Sequence, residues 1–287
     1  MVGSAPAKLK AVVNKPFLKW AGGKTRVLPE LMPLLPKGER FIEPFAGSGV
    51  VFLNVDYPSF LVGEVNPDLI DLYTLLKQNT EAMIEEARRL FVPASNQLDQ
   101  YYALRREFNA AESGLRRAAI FIYLNRHGFN GMCRYNSKGE FNIPFGAYKK
   151  PSFPEAAMRS FATKLQRVSL YCGDFTVGMD QAGRGDVVYC DPPYLPLTLT
   201  ASFTSYHDNG FDLGEQKRLA GTCEAAAARG ANVIVSNHDT KEAREIYGQA
   251  DQVLAISVRR NISADGTRRG RVGELIASYL PRPASSH

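Results

Sequence analysis

Asp191, Pro192, Pro193 and Tyr194 follow directly behind an apolar run, Val187-Val188-Tyr189-Cys190, whose length and composition suit a buried strand. The tetrapeptide then stands at the carboxyl end of that strand, the edge of an open α/β sheet where ligands bind. Two prolines in succession make a stiff turn, and since neither nitrogen can donate, their carbonyls are expected to point outward. A carboxylate, rigid carbonyls and an aromatic face suit a flat aromatic amine, whose N–H groups need acceptors and whose ring needs a stacking partner. The exocyclic amine of a purine is a poor nucleophile because its lone pair is delocalised into the ring. With Asp191 and the Pro192 carbonyl accepting its two N–H groups, the nitrogen can pyramidalise and aim that lone pair at an electrophile, while Tyr194 stacks on the base. Taken alone, the four residues fit a proline-rich turn after a strand equally well.

Such a site needs a sheet, and the chain supplies the pattern of one. Residues 40–43 and 60–63 read as short strands, and between them Pro44-Phe45-Ala46-Gly47-Ser48-Gly49 reads as a glycine-rich turn entering a helix at Val50. Phe52 occupies the place of the third glycine of a dinucleotide fingerprint, which argues against NAD. Glu64, at the end of the second strand, stands where an acidic side chain commonly accepts ribose hydroxyls, so the unit suits a cofactor that contains adenosine. Upstream, Phe17-Leu18-Lys19-Trp20-Ala21-Gly22-Gly23-Lys24 combines basic and aromatic residues with a diglycine, and a helix is predicted from Thr25. Gly23-Lys24-Thr25 imitates the end of a phosphate-binding loop, but that motif requires glycine where Leu18 stands, and the NTPase reading fails there.

From Asp68 to Arg126 the periodicity is helical, with helices predicted over 68–78, 81–91, 98–112 and 115–126 and no strand signal among them. The block reads as an insertion between two parts of the sheet. Residues 128–150 follow, rich in Asn, Gly, Arg and aromatics, with Asn136-Ser137-Lys138-Gly139 as a turn between two strand-like pieces; a projecting hairpin is expected. Between Leu115 and Lys150 stand seven basic residues (Arg116, Arg117, Arg126, Arg134, Lys138, Lys149, Lys150) against one acidic residue, Glu140. Interleaved with Phe129, Tyr135, Phe141 and Tyr148, they suit nucleic acid, which asks for phosphate contacts and stacking faces.

The remaining pattern is α/β: a helix near 154–165, strands over 168–171 and 186–190, a helix over 213–229, a strand over 232–236, a helix over 240–249, and strands over 252–258 and 274–280. The Arg259-Arg260 segment and the loop to Arg271 could line the same anionic groove. Four dispersed cysteines without a C-x-x-C pair, and four histidines that make no ligand-spaced cluster with them, point to neither a zinc site nor a disulfide framework. The absence of an apolar leader core in residues 1–14, and of any membrane-length apolar run, makes a reducing cytoplasm the default. A net charge of +6 fits a polyanionic partner without requiring one.

Taken together, 17–24, Glu43 to Gly49, Asn125 to Tyr135, Asp191 to Tyr194, Val235 to Thr240 and Arg259-Arg260 resemble the Dam-type DNA adenine methyltransferases, in one order and over nearly the whole chain from Pro16 to Leu280. The resemblance implies an α/β methyltransferase fold, with a mixed, mainly parallel seven-stranded sheet. The catalytic, cofactor-binding part would comprise residues 1–66 and 154–287, with a helical target-recognition domain at 67–153 whose hairpin, about 128–150, enters DNA. It further implies transfer of a methyl group from S-adenosylmethionine to N6 of a flipped adenine in double-stranded DNA, in GATC. It implies neither a metal nor a covalent enzyme intermediate, and a monomer in the cytoplasm, bacterial or encoded by a bacterial virus, is expected. Extrusion of the base is a physical requirement, because an amine inside the duplex cannot reach the cofactor.

Carried over by position, Asp191, Pro192, Pro193 and Tyr194 would be catalytic, and Trp20, Lys24, Glu43, Phe45, Gly47, Glu64, Asp174 and Phe175, with Asp191 again, would surround the cofactor. Lys19, Phe129, Asn130, Met132, Arg134, Pro144 and Tyr148 match positions that read DNA. The chain departs from the family pattern at Glu64 (Asp in the family), Phe129 (Tyr), Met132 (Leu) and Ala147 (Arg), the last losing a phosphate contact. Cytosine-amino and protein-glutamine methyltransferases share the glycine-rich turn and the P-P-Y, but Asn or Ser often leads their tetrapeptide and they lack the helical insert. A DNA-binding module with dead catalysis would need a damaged site, whereas Asp191, Tyr194, Gly47 and Gly49 are all present.

Overall fold

The strands bury side chains on both faces, as the apolar runs require. Phe41, Val187, Tyr189, Ile234 and Ile276 point to one side of the sheet and Ile42, Val188, Cys190, Val233, Val235, Leu275 and Ala277 to the other, the period of two that a pleated strand imposes. The computed structural model describes residues 13–194, 211–258 and 272–282, so the Arg259 to Arg271 segment lies outside the described residues. Seven strands form one sheet: β1 (Arg40–Glu43), β2 (Ser59–Glu64), β3 (Val168–Cys172), β4 (Asp186–Cys190), β5 (Asn232–His238), β6 (Gln252–Val258) and β7 (Val272–Tyr279). Their order is β3-β2-β1-β4-β5-β7-β6. The pairs β1/β2, β2/β3, β1/β4 and β4/β5 are parallel, and β7 runs antiparallel to both β5 and β6. This is the mixed, mainly parallel seven-stranded sheet that was expected.

The order places a topological switch between β1 and β4. From β1 the chain winds outward through β2 to β3, then returns to lay β4 on the other side of β1, with Ile42 beside Val188. Neighbouring strands there lead their loops in opposite directions, which opens a crevice at their carboxyl ends.

Among the described residues the α-helices are α1 (Leu28–Leu31), α2 (Val50–Asn54), α3 (Pro67–Gln78), α4 (Thr80–Arg89), α5 (Leu98–Ala110), α6 (Leu115–His127), α7 (Glu155–Leu165), α8 (Thr176–Met179), α9 (Leu213–Ala228) and α10 (Lys241–Ile246). The helix predicted from Thr25 is instead three short pieces, 3-10 at Lys24–Arg26, α1, and 3-10 at Met32–Leu34, each of the last two opening on a proline. The four helices of the middle block lie where their periodicity places them. Asn66 caps α3 by accepting from the Asp68 N–H, and Asn79 caps α4 from the Ala82 N–H. One apolar core joins this block to the sheet: Leu69, Leu72, Phe108, Phe121 and Phe141 belong to the same cluster as Phe41, Phe60 and Val187. A second core fills the opposite face beneath α8, α9 and α10.

Candidate active site

The turn after β1 is shaped by its glycines. Gly47 has φ +48° and Gly49 φ +70°, values that other residues rarely adopt. A Cβ at Gly47 would lie 2.6 Å from Trp20 Nε1, so the indole packs directly on the turn backbone. The turn is pinned from two sides. The Glu64 carboxylate accepts the Gly47 N–H at 2.9 Å, and it also accepts from Val65 and Asn66 at 3.0 and 3.3 Å; the buried Tyr73 hydroxyl donates to the Gly47 carbonyl at 2.6 Å. Burial raises the Glu64 pKa against the opposing effect of these amides. Glu43, 2% exposed, accepts from the Phe52 N–H at 2.9 Å and so anchors the start of α2. Its pKa is pushed well above the usual carboxylate range by burial, with the charges of Asp191 and Glu64 adding to the rise.

At the end of β4, Asp191 Oδ1 lies 2.7 Å from Lys24 Nζ and accepts from Ser236 Oγ at 3.1 Å; Ser236 in turn pairs with the Tyr189 hydroxyl at 2.8 Å. Lys24 is brought there by the diglycine turn. It is almost fully buried, and its ammonium donates to the Gly22 carbonyl at 3.0 Å, lies 3.9 Å from Glu274 Oε1 and stands 4.4 Å from the centroid of the Tyr194 ring. Tyr194 donates its hydroxyl to Glu274 Oε1 at 2.6 Å and meets the His238 ring edge-on at 4.8 Å; burial raises its pKa strongly. The expectation that both proline carbonyls face outward holds only in part, because Gln216 Nε2 donates to the Pro193 carbonyl at 2.7 Å.

These two groups share one cavity of about 1640 Å³. It is lined by Trp20, Lys24, Glu43, Phe45, Gly47, Glu64, Asp174, Phe175 and Asp191, all nine residues expected around a cofactor, and by Pro192, Pro193 and Tyr194. Phe45 and Phe175 stack at 5.4 Å, with Phe211 against both. Asp174 is already engaged: Arg218 grips its carboxylate with both nitrogens at 2.9 and 2.7 Å, and the Thr176 N–H and hydroxyl donate to it. The guanidinium holds its carboxyl below the usual range and lies 4.1 Å over the Phe175 ring. Beyond the turn the cavity reaches Asp68, Arg117, Cys133 and Tyr135; Asp68 pairs with Arg117 and accepts from the Tyr135 hydroxyl at 2.6 Å. Among the described residues no group of His, Cys, Asp and Glu could hold a metal ion.

The seven residues matched to DNA reading stand outside this cavity, on one surface built by residues 128–150 and the Lys19 segment. Buried Asn125 joins the two, its side chain exchanging hydrogen bonds with the backbone N–H and carbonyl of Lys19 at 2.8 and 2.7 Å and donating to the Gly131 carbonyl at 3.1 Å. Lys19 Nζ then stands 4.2 Å over the Tyr148 ring, whose hydroxyl accepts from the Asn130 N–H at 2.8 Å. The Phe129 N–H donates to the Pro144 carbonyl at 2.9 Å, and its ring is half exposed. Met132 packs partly against the core, and Arg134 is exposed, its Nε donating to Asn142 Oδ1 at 2.9 Å.

The two strand-like pieces of the expected hairpin are not strands. They meet only in isolated antiparallel bridges, Gly128 with Phe145 and Tyr135 with Phe141, because α5 takes their hydrogen bonds: Asn109 binds both the N–H and the carbonyl of Phe141, and Tyr101 and Arg105 donate to the Ile143 carbonyl. Nor does all the counted charge reach this surface. Arg116, though exposed, pairs with Glu107 and Glu86, Arg117 pairs with Asp68, and Arg126 donates to Ser152; Arg134, Lys138, Lys149 and Lys150 are exposed as well.

Glu274, Gln216 and Arg218 carry no role in the sequence reading, and Ser236 and His238 enter it only within the Val235 to Thr240 block, yet each of the five touches a residue of the tetrapeptide or the cavity wall. A signal existed for two of them: Ser236 and His238 interrupt the apolar run of β5 at its carboxyl end, the edge where ligands bind.

The model of the D12 class of N6 adenine-specific DNA methyltransferases matches residues 20–262. The DNA adenine methylase of Escherichia coli strain K12 is 49% identical over 268 residues, 93% of this chain and 96% of that protein. Its counterpart in Salmonella typhi is 48% identical over 272 residues, 95% of this chain and 98% of that protein. The DNA adenine methylase of Vibrio cholerae (strain ATCC 39315) is 46% identical over 273 residues, with 95% and 98% covered.

Proposed function

The chain belongs to the D12 class of N6 adenine-specific DNA methyltransferases, and from that premise we propose that it moves the methyl group of S-adenosylmethionine to N6 of an adenine turned out of duplex DNA, within GATC. The observation that carries the proposal is the juxtaposition at the β1/β4 switch, where the Gly47 turn and the Asp191 to Tyr194 turn open into one cavity. The cavity wall fits the cofactor. Phe45 and Phe175 offer apolar faces for an adenine ring, Glu64 and Asp174 offer carboxylates, and Trp20, packed where a Cβ at Gly47 would stand, closes the turn. When bound, the cofactor supplies an electrophilic methyl group on a sulfonium that already carries its leaving-group activation.

The remaining work falls to side chains. Asp191, with Oδ1 fixed by Lys24 and Ser236, presents Oδ2 to one N–H of the target amine, and the Pro192 carbonyl accepts the other. Accepting both hydrogens withdraws the lone pair from the ring and aims it at the methyl group. Tyr194, held at its hydroxyl by Glu274, offers the stacking face. Positions fixed before the substrate arrives cost nothing to reorganise during the reaction. Lys19, Phe129, Asn130, Arg134 and Tyr148 form the surface that reads the duplex, within a recognition domain spanning 67–153. Acting on DNA places the enzyme in a bacterial cytoplasm, and among the described residues no helix is long and apolar enough to cross a membrane.

The test is transfer of a labelled methyl group from S-adenosylmethionine to duplexes with and without GATC, with N6-methyladenine mapped in DNA from a methylation-deficient cell that expresses the chain. Label confined to GATC adenine supports every part. Label at other adenines removes the specificity alone, and no adenine label removes the reaction.

A further inference from the structure

The Asp191-Pro192-Pro193-Tyr194 turn contains a mechanical gap that its own residues cannot close. Each proline ring fixes its own φ near about −65°, and the residue before a proline is confined to extended ψ of about +120° to +160°. These two rules act on ψ of Asp191, φ and ψ of Pro192, and φ of Pro193. Within the two prolines the first soft torsion is therefore ψ of Pro193, and it sets the direction in which the chain enters Tyr194 relative to the Asp191 carboxylate and the Pro192 carbonyl. Neither proline has an N–H with which to lock it.

A side chain distant in sequence fills the gap. Gln216, wholly buried on α9, donates from Nε2 to the Pro193 carbonyl at 2.7 Å. A carbonyl only accepts, so the amide must present its NH₂ group there. Its Oε1 then accepts from Asn237 Nδ2 at 3.0 Å and from the Tyr247 hydroxyl at 2.6 Å. Asn237, also fully buried, uses its Oδ1 to accept the His238 N–H at 2.9 Å, which ties the network to the residue whose ring abuts Tyr194. Turning the Gln216 amide over would set oxygen against oxygen at Pro193 and nitrogen against two donors at the other end.

We propose that Gln216 is a positioning residue for methyl transfer: by gripping the Pro193 carbonyl it fixes the one torsion of the two prolines that their rings leave free, which lies between the acceptors for the amine and the residue whose ring stacks on the base. The assignment rests on the functional reading above. Gln216 is wholly buried and does not line the cavity, so its effect is expected at the transfer step and not in binding.

Gln216→Glu keeps the shape and replaces the donor with a second acceptor, while Tyr247→Phe removes one of the two groups that orient the amide and leaves its packing intact. With enzyme in excess over a GATC duplex, the single-turnover transfer rate should fall about ten- to a hundredfold in Gln216→Glu and about threefold in Tyr247→Phe, with Kd for S-adenosylhomocysteine and for the duplex each within about twofold of the unaltered chain. If both variants transfer as fast as the unaltered chain, the inference is overturned. It is equally overturned if rate and both affinities fall together in step with a reduced folded fraction, since that assigns the network to stability. An unaltered chain that methylates no adenine overturns the functional reading, and this inference with it; an active chain with equally active variants overturns the inference alone.

Discussion

At the sheet edge, the polar side chains that face the cavity are already engaged: Asp191 by Lys24 and Ser236, Glu64 by three backbone N–H groups, Asp174 by Arg218, Tyr194 by Glu274. On the 128–150 surface the backbone is what is held, by Asn109, Asn125, Tyr101 and Arg105, while Phe129, Lys138, Lys149 and Lys150 extend into solvent. On the proposed function, the contrast follows from what each region would do. Transfer of a methyl group rewards atoms fixed before the substrate arrives. Reading a duplex rewards long side chains that can settle onto phosphates and base edges once the backbone beneath them is placed.

The largest effect should come from removing a fixed group. Asp191→Ala is expected to lower single-turnover methyl transfer on the order of a thousandfold, the scale of losing a preorganised transition-state contact, while the far-UV circular dichroism stays that of the folded chain. The melting temperature should fall as well, since Lys24 loses its nearest counter-charge in a buried site. Near-normal turnover in the folded variant would remove the distinction between the two regions.

Next in size is the exposed arginine. Arg134→Ala should lose about ten- to a hundredfold in discrimination at one guanine of GATC, the worth of a bidentate pair to guanine O6 and N7, with general DNA affinity lowered much less. Rates measured on sites altered at each guanine check this; a uniform fall would make Arg134 a positioning contact instead.

Neutralising Lys149 and Lys150 together should leave sequence preference unchanged and reduce the slope of log affinity against log salt by about 2, one phosphate contact for each residue. A slope equal to that of the unaltered chain would mean that these lysines touch no phosphate.

The smallest effect sits at the seam between the regions. His127 ends α6 at the root of the surface loop, 2% exposed, stacked on Tyr123 at 3.9 Å, with Nδ1 bonded to the Tyr123 carbonyl and its own carbonyl accepting the Gly146 N–H. Burial lowers its pKa to about 4 from an ordinary value near 6.5. A histidine depressed in this way is protonated more readily in the unfolded chain, so its contribution to stability is intact above pH 6.5 and is lost as the pH falls through 4. The melting temperature should therefore decline more steeply from pH 6.5 to 4 in the unaltered chain than in His127→Gln. Parallel declines would refute the assignment.

All seven strands and the four middle helices were legible because their signals are local, an apolar run or a helical period bounded by polar breaks. The broken helix after Thr25 was missed because Pro29 and Pro33 were not weighed. The hairpin's turn at Asn136 to Gly139 was legible, but its arms form no strand ladder because the backbone of Phe141 and Ile143 bonds to Asn109, Tyr101 and Arg105, which no local pattern reveals. Counting Arg116 and Arg117 toward the DNA surface failed similarly, since a count of charge carries no direction and α6 turns both toward carboxylates. At the site, motifs identified residues that line the cavity but not what holds them. Glu274 lies 80 residues beyond Tyr194, and only the antiparallel return of β7 beside β5 brings them together. Gln216 could have been found, because it falls one helical turn before Leu219 and Ala220 on the buried face of α9, where an amide needs partners.

The packing of Trp20 on the Gly47 turn has an optical consequence. The chain contains a single tryptophan, and it lines the cavity. Emission excited selectively at the indole therefore originates at one wall of that pocket and nowhere else in the protein, so a titration followed by intrinsic fluorescence reads the surroundings of the turn without a label and without averaging over distant sites.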